Sequence, residues 1–210
     1  MWRQHGSRRI FEWCFETTKS KFHGAFAKTI GNSVINELCT KSKTTKISVS
    51  SLAVNSSTGN EQSFTTVYTD GCCLSNGQKE SRAGYGVYWE DNHPWNVSEH
   101  LDGPPTNNRA ELMGSITAME IALLNGISDL EIKTDSQYTI DAATKYIQNW
   151  KKQNWIKKLD STPVLNKDLM EKLDNLQQQL NVKWTYVKGH SNDRGNDAAD
   201  KLAKAGATKV

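Results

Sequence analysis

The chain has 210 residues, 36% hydrophobic and 23% charged, with a formal net charge of +3. That length supports one well-buried domain with an extension and excludes two full-sized ones. The composition is that of a soluble protein with no apolar run of bilayer-spanning length, and the mild positive charge permits a polyanionic partner without demanding one.

In chain order, residues 1–40 form a basic extension with Trp2, Arg3, Arg8 and Arg9 near its start, and residues 41–62 a linker rich in Ser, Thr, Lys and Asn. A folded domain is expected over residues 63–210. Its first three strands are read at Phe64–Thr69, Ala83–Glu90 and Trp95–Leu101, an antiparallel meander separated by turn-rich segments. Thr106 can cap a helix running to about Asn125, stopped by Gly126. A strand at Leu130–Thr134, a helix from Ser136 to about Gln148, and a basic Trp-bearing stretch at Asn149–Lys158 follow. Leu169, Leu173, Leu176 and Leu180 recur at helical spacing within Asn166–Leu180, then a strand at Val182–Val187 and a helix at Asp193–Ala205 close the domain. This order predicts an α/β fold, a five-stranded mixed sheet with helices on both faces.

Cys14, Cys39, Cys72 and Cys73 include an adjacent pair and no CxxC spacing, which argues against both a disulfide framework and a zinc site. Reduced thiols in an intracellular protein are expected, and the sequons at Asn55 and Asn96 are then chance matches.

Asp70, Glu111, Asp135 and Asp200 each stand at the end of an apolar run or on a helix from which they could converge. Asp70 and Asp135 are both read at the C-terminal ends of strands, the edge where α/β sheets gather ligands. Clustered like charges repel unless a cation holds them, and a hard, oxygen-seeking divalent ion is the usual agent. The expectation is metal-dependent phosphoryl-transfer chemistry. Each carboxylate alone has an ordinary alternative, a solvated surface group.

Six strings carry a resemblance: Val67-Tyr68-Thr69-Asp70-Gly71, Arg82 to Trp89, Thr106-Asn107-Asn108-Arg109-Ala110-Glu111, Thr134-Asp135-Ser136, Trp150-Lys151-Lys152, and Gly189-His190-Ser191 with Gly195 to Asp200. In that order they resemble the catalytic domain of type 1 ribonuclease H over residues 64–207. The resemblance implies the ribonuclease H-like fold and hydrolysis of the RNA strand of RNA/DNA hybrids, leaving 5′-phosphate and 3′-hydroxyl ends. It implies two Mg2+ ions, replaceable by Mn2+, held by Asp70, Glu111, Asp135 and Asp200. Asp70 would bridge them, with Asp200 on the water side and Glu111 and Asp135 on the leaving-group side. His190, in a Gly-Ser-Asn loop, matches the family's mobile catalytic histidine and is expected to assist without being indispensable.

By the same resemblance, Cys73, Asn76, Asn107, Glu111 and Gln137 would read the RNA strand, whose 2′-hydroxyls line an A-form minor groove. Thr106, Tyr138, Tyr146, Trp150, Lys151, Lys152 and Asn166 would meet the DNA strand, the Tyr146–Trp150 pair against deoxyribose and the lysines against phosphate. Asn76-Gly77 and Asn107 also suit a hairpin turn and a helix start, and the aromatic pair equally suits core packing. One departure stands out: Pro104 occupies the place where animal members carry an arginine in the DNA phosphate pocket, a contact that Arg109 or a nearby lysine could replace. Trp13–Leu38 looks faintly like the end of the family's hybrid-binding module, without its first strand. For residues 1–40 an organellar presequence is the alternative, and a flexible basic tail is the reading preferred over both.

The expected partner is the hybrid duplex, met by a monomer with no membrane association, in nucleus or cytoplasm with the mitochondrion left open. Two other functions compete. A catalytically silent hybrid-binding protein is opposed by the intact acidic set, and a retroelement-derived ribonuclease H domain by the basic Trp150–Lys158 stretch.

Overall fold

The computed structural model describes residues 63–209, so the readings of the basic extension and linker lie outside the described residues. Five strands form one mixed sheet in the order β3-β2-β1-β4-β5. β1 (Thr65–Leu74), β2 (Arg82–Tyr88) and β3 (Val97–His100) make the antiparallel meander, while β4 (Asp129–Thr134) and β5 (Asn181–Tyr186) continue parallel beyond β1. The predicted mixed sheet with helices on both faces is therefore the observed architecture.

β1 differs from its predicted form. It does not stop at Thr69: it stays paired with β2 as far as Leu74 opposite Arg82. Asp70 consequently sits inside the strand and not at its end. Gly71, which reads as a turn residue, is instead a point of close helix approach.

Alternation along β1 assigns the two faces. Thr69 Oγ1 lies 3.2 Å from Ser115 Oγ on α1 (Asn107–Leu124), whereas the Tyr68 ring lies against Gly195 of α5 (Arg194–Thr208). α1 and α5 thus cover opposite faces. α5 does so with small residues: Ala199, Ala203 and Ala207 are fully buried, and a Cβ on Gly86 of β2 would meet the Ala199 carbonyl oxygen at 2.2 Å. On the α1 side, Val67, Leu112, Ile116, Met119, Leu130 and Ile132 join one buried apolar cluster that extends to Ile147, Met170 and Leu173.

Caps fix the helix starts. Thr106 Oγ1 accepts from the Arg109 N–H, Ser136 Oγ from Thr139, and Asp193 Oδ1 from Gly195 and Asn196. Asn125 C-caps α1, before a left-handed Gly126.

The helix predicted from Ser136 to about Gln148 runs further. α2 (Gln137–Asp141) passes through a π-turn at Ala142–Tyr146 into α3 (Ile147–Lys152), so the front of the basic stretch is helical. Beyond it Asn154 and Trp155 turn left-handed, and Ile156 bridges to Pro163. α4 is Lys167–Gln177, shorter than the predicted Asn166–Leu180. Asn166 precedes it in a left-handed conformation and its side chain makes no cap.

Candidate active site

The parallel β1–β4 register aligns Tyr68 with Lys133. Asp70 and Asp135, each two residues further on, therefore fall side by side on one face. Glu111 arrives from the early part of α1, which packs so closely on β1 that a Cβ on Gly71 would lie 2.2 Å from the Glu111 backbone nitrogen. Asp70, Glu111 and Asp135 each present a carboxylate oxygen within 4.8 Å of the others.

These acids are partly satisfied. The Gly71 N–H donates to Asp70 Oδ1 at 2.8 Å, Asn107 Nδ2 to Glu111 Oε1 at 3.3 Å, and Asn196 Nδ2 to Asp135 Oδ2 at 3.1 Å. Burial, reinforced by the neighbouring charge of Asp135, lifts the Asp70 carboxyl to about 7. Burial drives Glu111 well above the usual carboxylate range too, with Asp70 and Asp135 adding to it. Glu111 Oε2 and Asn196 Oδ1 are buried without a hydrogen-bond partner. An all-oxygen set with a lone buried acceptor, in a cleft where ionisation is opposed by repulsion, fits a hard divalent cation such as Mg2+.

Asp200, expected to converge with the other three, lines the same cleft but stands outside the tight trio, and its Oδ2 accepts from Lys204 Nζ at 2.7 Å. His190 also lines the cleft, on the exposed connection between β5 and α5 and with a left-handed backbone (φ 53°). Cys73 and Asn107 reach it as well. Cys73 Sγ is within 3.3 Å of the Pro105 carbonyl oxygen, and both Cys72 and Cys73 are free thiols.

The remaining predicted contacts are not among the residues that line the cleft. Asn76 is exposed in the β1–β2 turn, and Gln137 is exposed with its amide on Asp141. Thr106, Tyr138 and Asn166 gather around Arg109: Asn166 Nδ2 donates to the Tyr138 hydroxyl at 3.0 Å, and Arg109 Nη1 donates to Asn166 Oδ1 at 3.4 Å. Arg109 also forms a two-pronged pair with Asp168 at 2.7 and 2.9 Å. The cation offered as a replacement at Pro104 is thus already engaged. Tyr146 and Trp150 stack with ring centroids 5.3 Å apart. Tyr146 stays exposed while Trp150 packs partly on the core, so both readings of this pair hold in part. Lys152 is exposed, but Lys151 Nζ is 2.6 Å from Asp174, a buried carboxylate that also receives the Gln148 and Gln178 amides.

Sequence reasoning assigned no role to Asn196, Gly71 or Lys204. Asn196 lies in a string quoted for the resemblance, and Lys204 follows Asp200 by one helical turn. Those were the available signals.

A mixed sheet in this strand order, helices on both faces and carboxylates converging where β1 and β4 run side by side define a ribonuclease H-like domain. Residues 61–208 match the family model described as RNase H. Ribonuclease H1 of Homo sapiens is 45% identical over 144 residues, covering 69% of this chain and 50% of that protein. Ribonuclease H of Schizosaccharomyces pombe is 44% identical over 144 residues, covering 68% and 53%. Ribonuclease H of Enterobacter sp. (strain 638) is 41% identical over 144 residues, covering 67% and 87%. Among solved structures, LC9-RNase H1, a type 1 ribonuclease H with the type 2 active-site motif, aligns with a TM-score of 0.53 at 26% identity, covering 68% of this chain and 71% of that one. The PFV ribonuclease H domain aligns with a TM-score of 0.53 at 24% identity, covering 68% and 93%, a likeness of fold. The chain belongs to the ribonuclease H family, with its type 1 catalytic domain in residues 61–208. It spans about half the length of the human and S. pombe relatives.

Proposed function

We propose that this protein is an endoribonuclease that hydrolyses the RNA strand of RNA/DNA hybrids with two Mg2+ ions, leaving 5′-phosphate and 3′-hydroxyl ends, and that it acts as a monomer. One observation carries the reading: three carboxylates of a ribonuclease H domain converge within 4.8 Å, and one of their oxygens, Glu111 Oε2, is buried and unpaired.

Asp70, Glu111, Asp135 and Asp200 are the residues that would hold the ions. Bound there, Mg2+ supplies Lewis acidity at a phosphoryl oxygen and a lowered pKa for attacking water. The chain's own groups do the rest. Asn196 and Asn107 orient Asp135 and Glu111 through amide hydrogen bonds. His190, on the exposed connection that lines the cleft, takes the assisting role, in proton transfer or in loosening the product. Cys73 and Asn107 line the cleft beside the acids, which supports their role in contacting the RNA strand. The exposed Tyr146 and Lys152 lie on the helical stretch assigned to the DNA strand.

Cleavage of matched RNA/DNA, RNA/RNA and DNA/DNA duplexes, with each strand labelled in turn, tests the proposal. Mg2+-dependent products from the RNA strand of the hybrid alone are expected. Binding without cleavage, or cutting of RNA/RNA at a comparable rate, would refute it.

A further inference from the structure

Asn196, Asp200 and Lys204 recur every fourth residue along α5, so they lie on one face of the helix, and all three line the cleft. Asn196 is engaged by Asp135. Asp200 and Lys204 hold each other, Nζ to Oδ2 at 2.7 Å, with the lysine side chain 54% exposed and the aspartate 24%. Lys204 is the only lysine or arginine among the described residues lining the cleft. Its charge is felt beyond its partner, at Asp70, where it opposes the effects of burial and of the Asp135 and Asp200 charges. Asp200 is also the carboxylate left out of the close trio.

We propose that Lys204 is a tethered counter-ion on the Asp200 side of the cleft, displaced whenever a divalent cation takes Asp200 as a ligand. The inference rests on the metal reading above and adds to it an order of loading. Five carboxylates line the cleft, Asp197 beside the four already named, and they repel; an ammonium at contact distance relieves that repulsion while no metal is bound. The two sides of the cleft then differ. Among the described residues the trio of Asp70, Glu111 and Asp135 forms no ion pair and has an unpaired oxygen, whereas Asp200 already holds its cation at contact distance. A divalent ion arriving at Asp200 must break the ion pair and tolerate a like charge nearby, so that side binds metal more weakly and fills second. Lysine suits an exchangeable role, because a point charge on a flexible, half-exposed four-carbon stem can swing away without moving the helix.

The test is calorimetric titration of Mn2+ into the full chain without substrate. Lys204→Met should tighten the weaker binding step by about three- to tenfold. Lys204→Gln, of similar length, should do the same, and Lys204→Arg should keep the wild-type affinity. Lys201→Met, removing an exposed lysine from the same helix, should change nothing. In an Asp200→Asn background the substitution at 204 should have no effect, because the pair it interrupts is gone. Unchanged affinity in Lys204→Met and Lys204→Gln, or the same tightening in the Asp200→Asn background, overturns the counter-ion. Equal Mn2+ uptake by wild type and Asp70→Asn would instead overturn the metal reading on which it stands.

Discussion

Gly71 and Glu111 touch backbone to backbone: a single added methyl on Gly71 would stand 2.2 Å from the Glu111 nitrogen and 2.8 Å from its Cα. The contact joins the strand that carries Asp70 to the helix that carries Glu111. Only a residue without a side chain lets both carboxylates enter one cluster.

Gly71→Ala must therefore push α1 off β1. Both contacts are with backbone, which cannot swing aside, so the expected loss of stability is about 3 kcal/mol or more in urea denaturation. The displacement also carries Glu111 away from Asp70, and metal binding should weaken in the fraction that still folds. A variant with wild-type stability and metal affinity would show that the helix has room to yield.

Asp70→Asn keeps the shape of the side chain and removes its charge. Cleavage should be abolished while hybrid binding remains. The metal-free protein should also respond to pH in a defined direction. The folded Asp70 carboxyl titrates at about 7 against 3.8 for the free group, so between those values the folded state holds the proton more tightly than the unfolded chain. Stability then declines as pH rises from about 4 to about 7, by up to about 1.4 kcal/mol per pH unit for this group, and levels off above. Urea denaturation in EDTA at pH 5, 6, 7 and 8 should show the decline in wild type and a shallower one in Asp70→Asn. Mg2+ should reverse the trend, since binding to a deprotonated site strengthens as pH rises. Parallel pH profiles for the two proteins would rule out Asp70 as the group responsible.

Much of this site is legible in the chain itself, and the exceptions share a physical origin. Thr106 and Ser136 announce their helices through local capping chemistry, which fixes where Glu111 and Asp135 stand along the chain. Gly71 misleads because glycine marks both turns and close backbone approaches, and only the packing of α1 distinguishes them. The π-turn at Ala142–Tyr146 has no breaker in its Ala-Ala-Thr-Lys-Tyr sequence. The Asp200–Lys204 spacing is readable as a helical ion pair, yet such pairs mostly lie in solvent, and its place in the cleft follows from the burial of Ala199 and Ala203 on the adjoining face of α5. Lys151 reads like its neighbour Lys152 until Asp174, 23 residues away, claims it.

His190→Ala should slow turnover substantially and leave measurable activity, because the carboxylates that would hold the ions are untouched. Its loop is exposed, so thermal stability should stay within about 0.5 kcal/mol of wild type. Steady-state and single-turnover rates separate its roles: a defect confined to steady state marks product release, and one present in both marks proton transfer. A defect as complete as that of Asp70→Asn would make His190 essential.

The DNA-side surface gives a prediction in which the lysines no longer act alike. Lys152, Lys157 and Lys158 are exposed, and Lys157 has only a 3.7 Å pair with exposed Asp160. Replacing all three by Ala should weaken hybrid binding and flatten its dependence on salt, by roughly 0.7 to 0.9 in the log–log slope for each phosphate no longer neutralised. Lys151→Ala should leave the slope nearly unchanged and lower stability instead, because it strips the cation from buried Asp174. Trp150→Ala should weaken binding at unchanged slope, since it removes a ring and no charge. Fluorescence anisotropy of a labelled hybrid across a salt series reads all three variants in the catalytically inactive Asp70→Asn background. An unchanged slope in the triple variant would place the DNA strand elsewhere on the protein, away from the Trp150–Lys158 stretch.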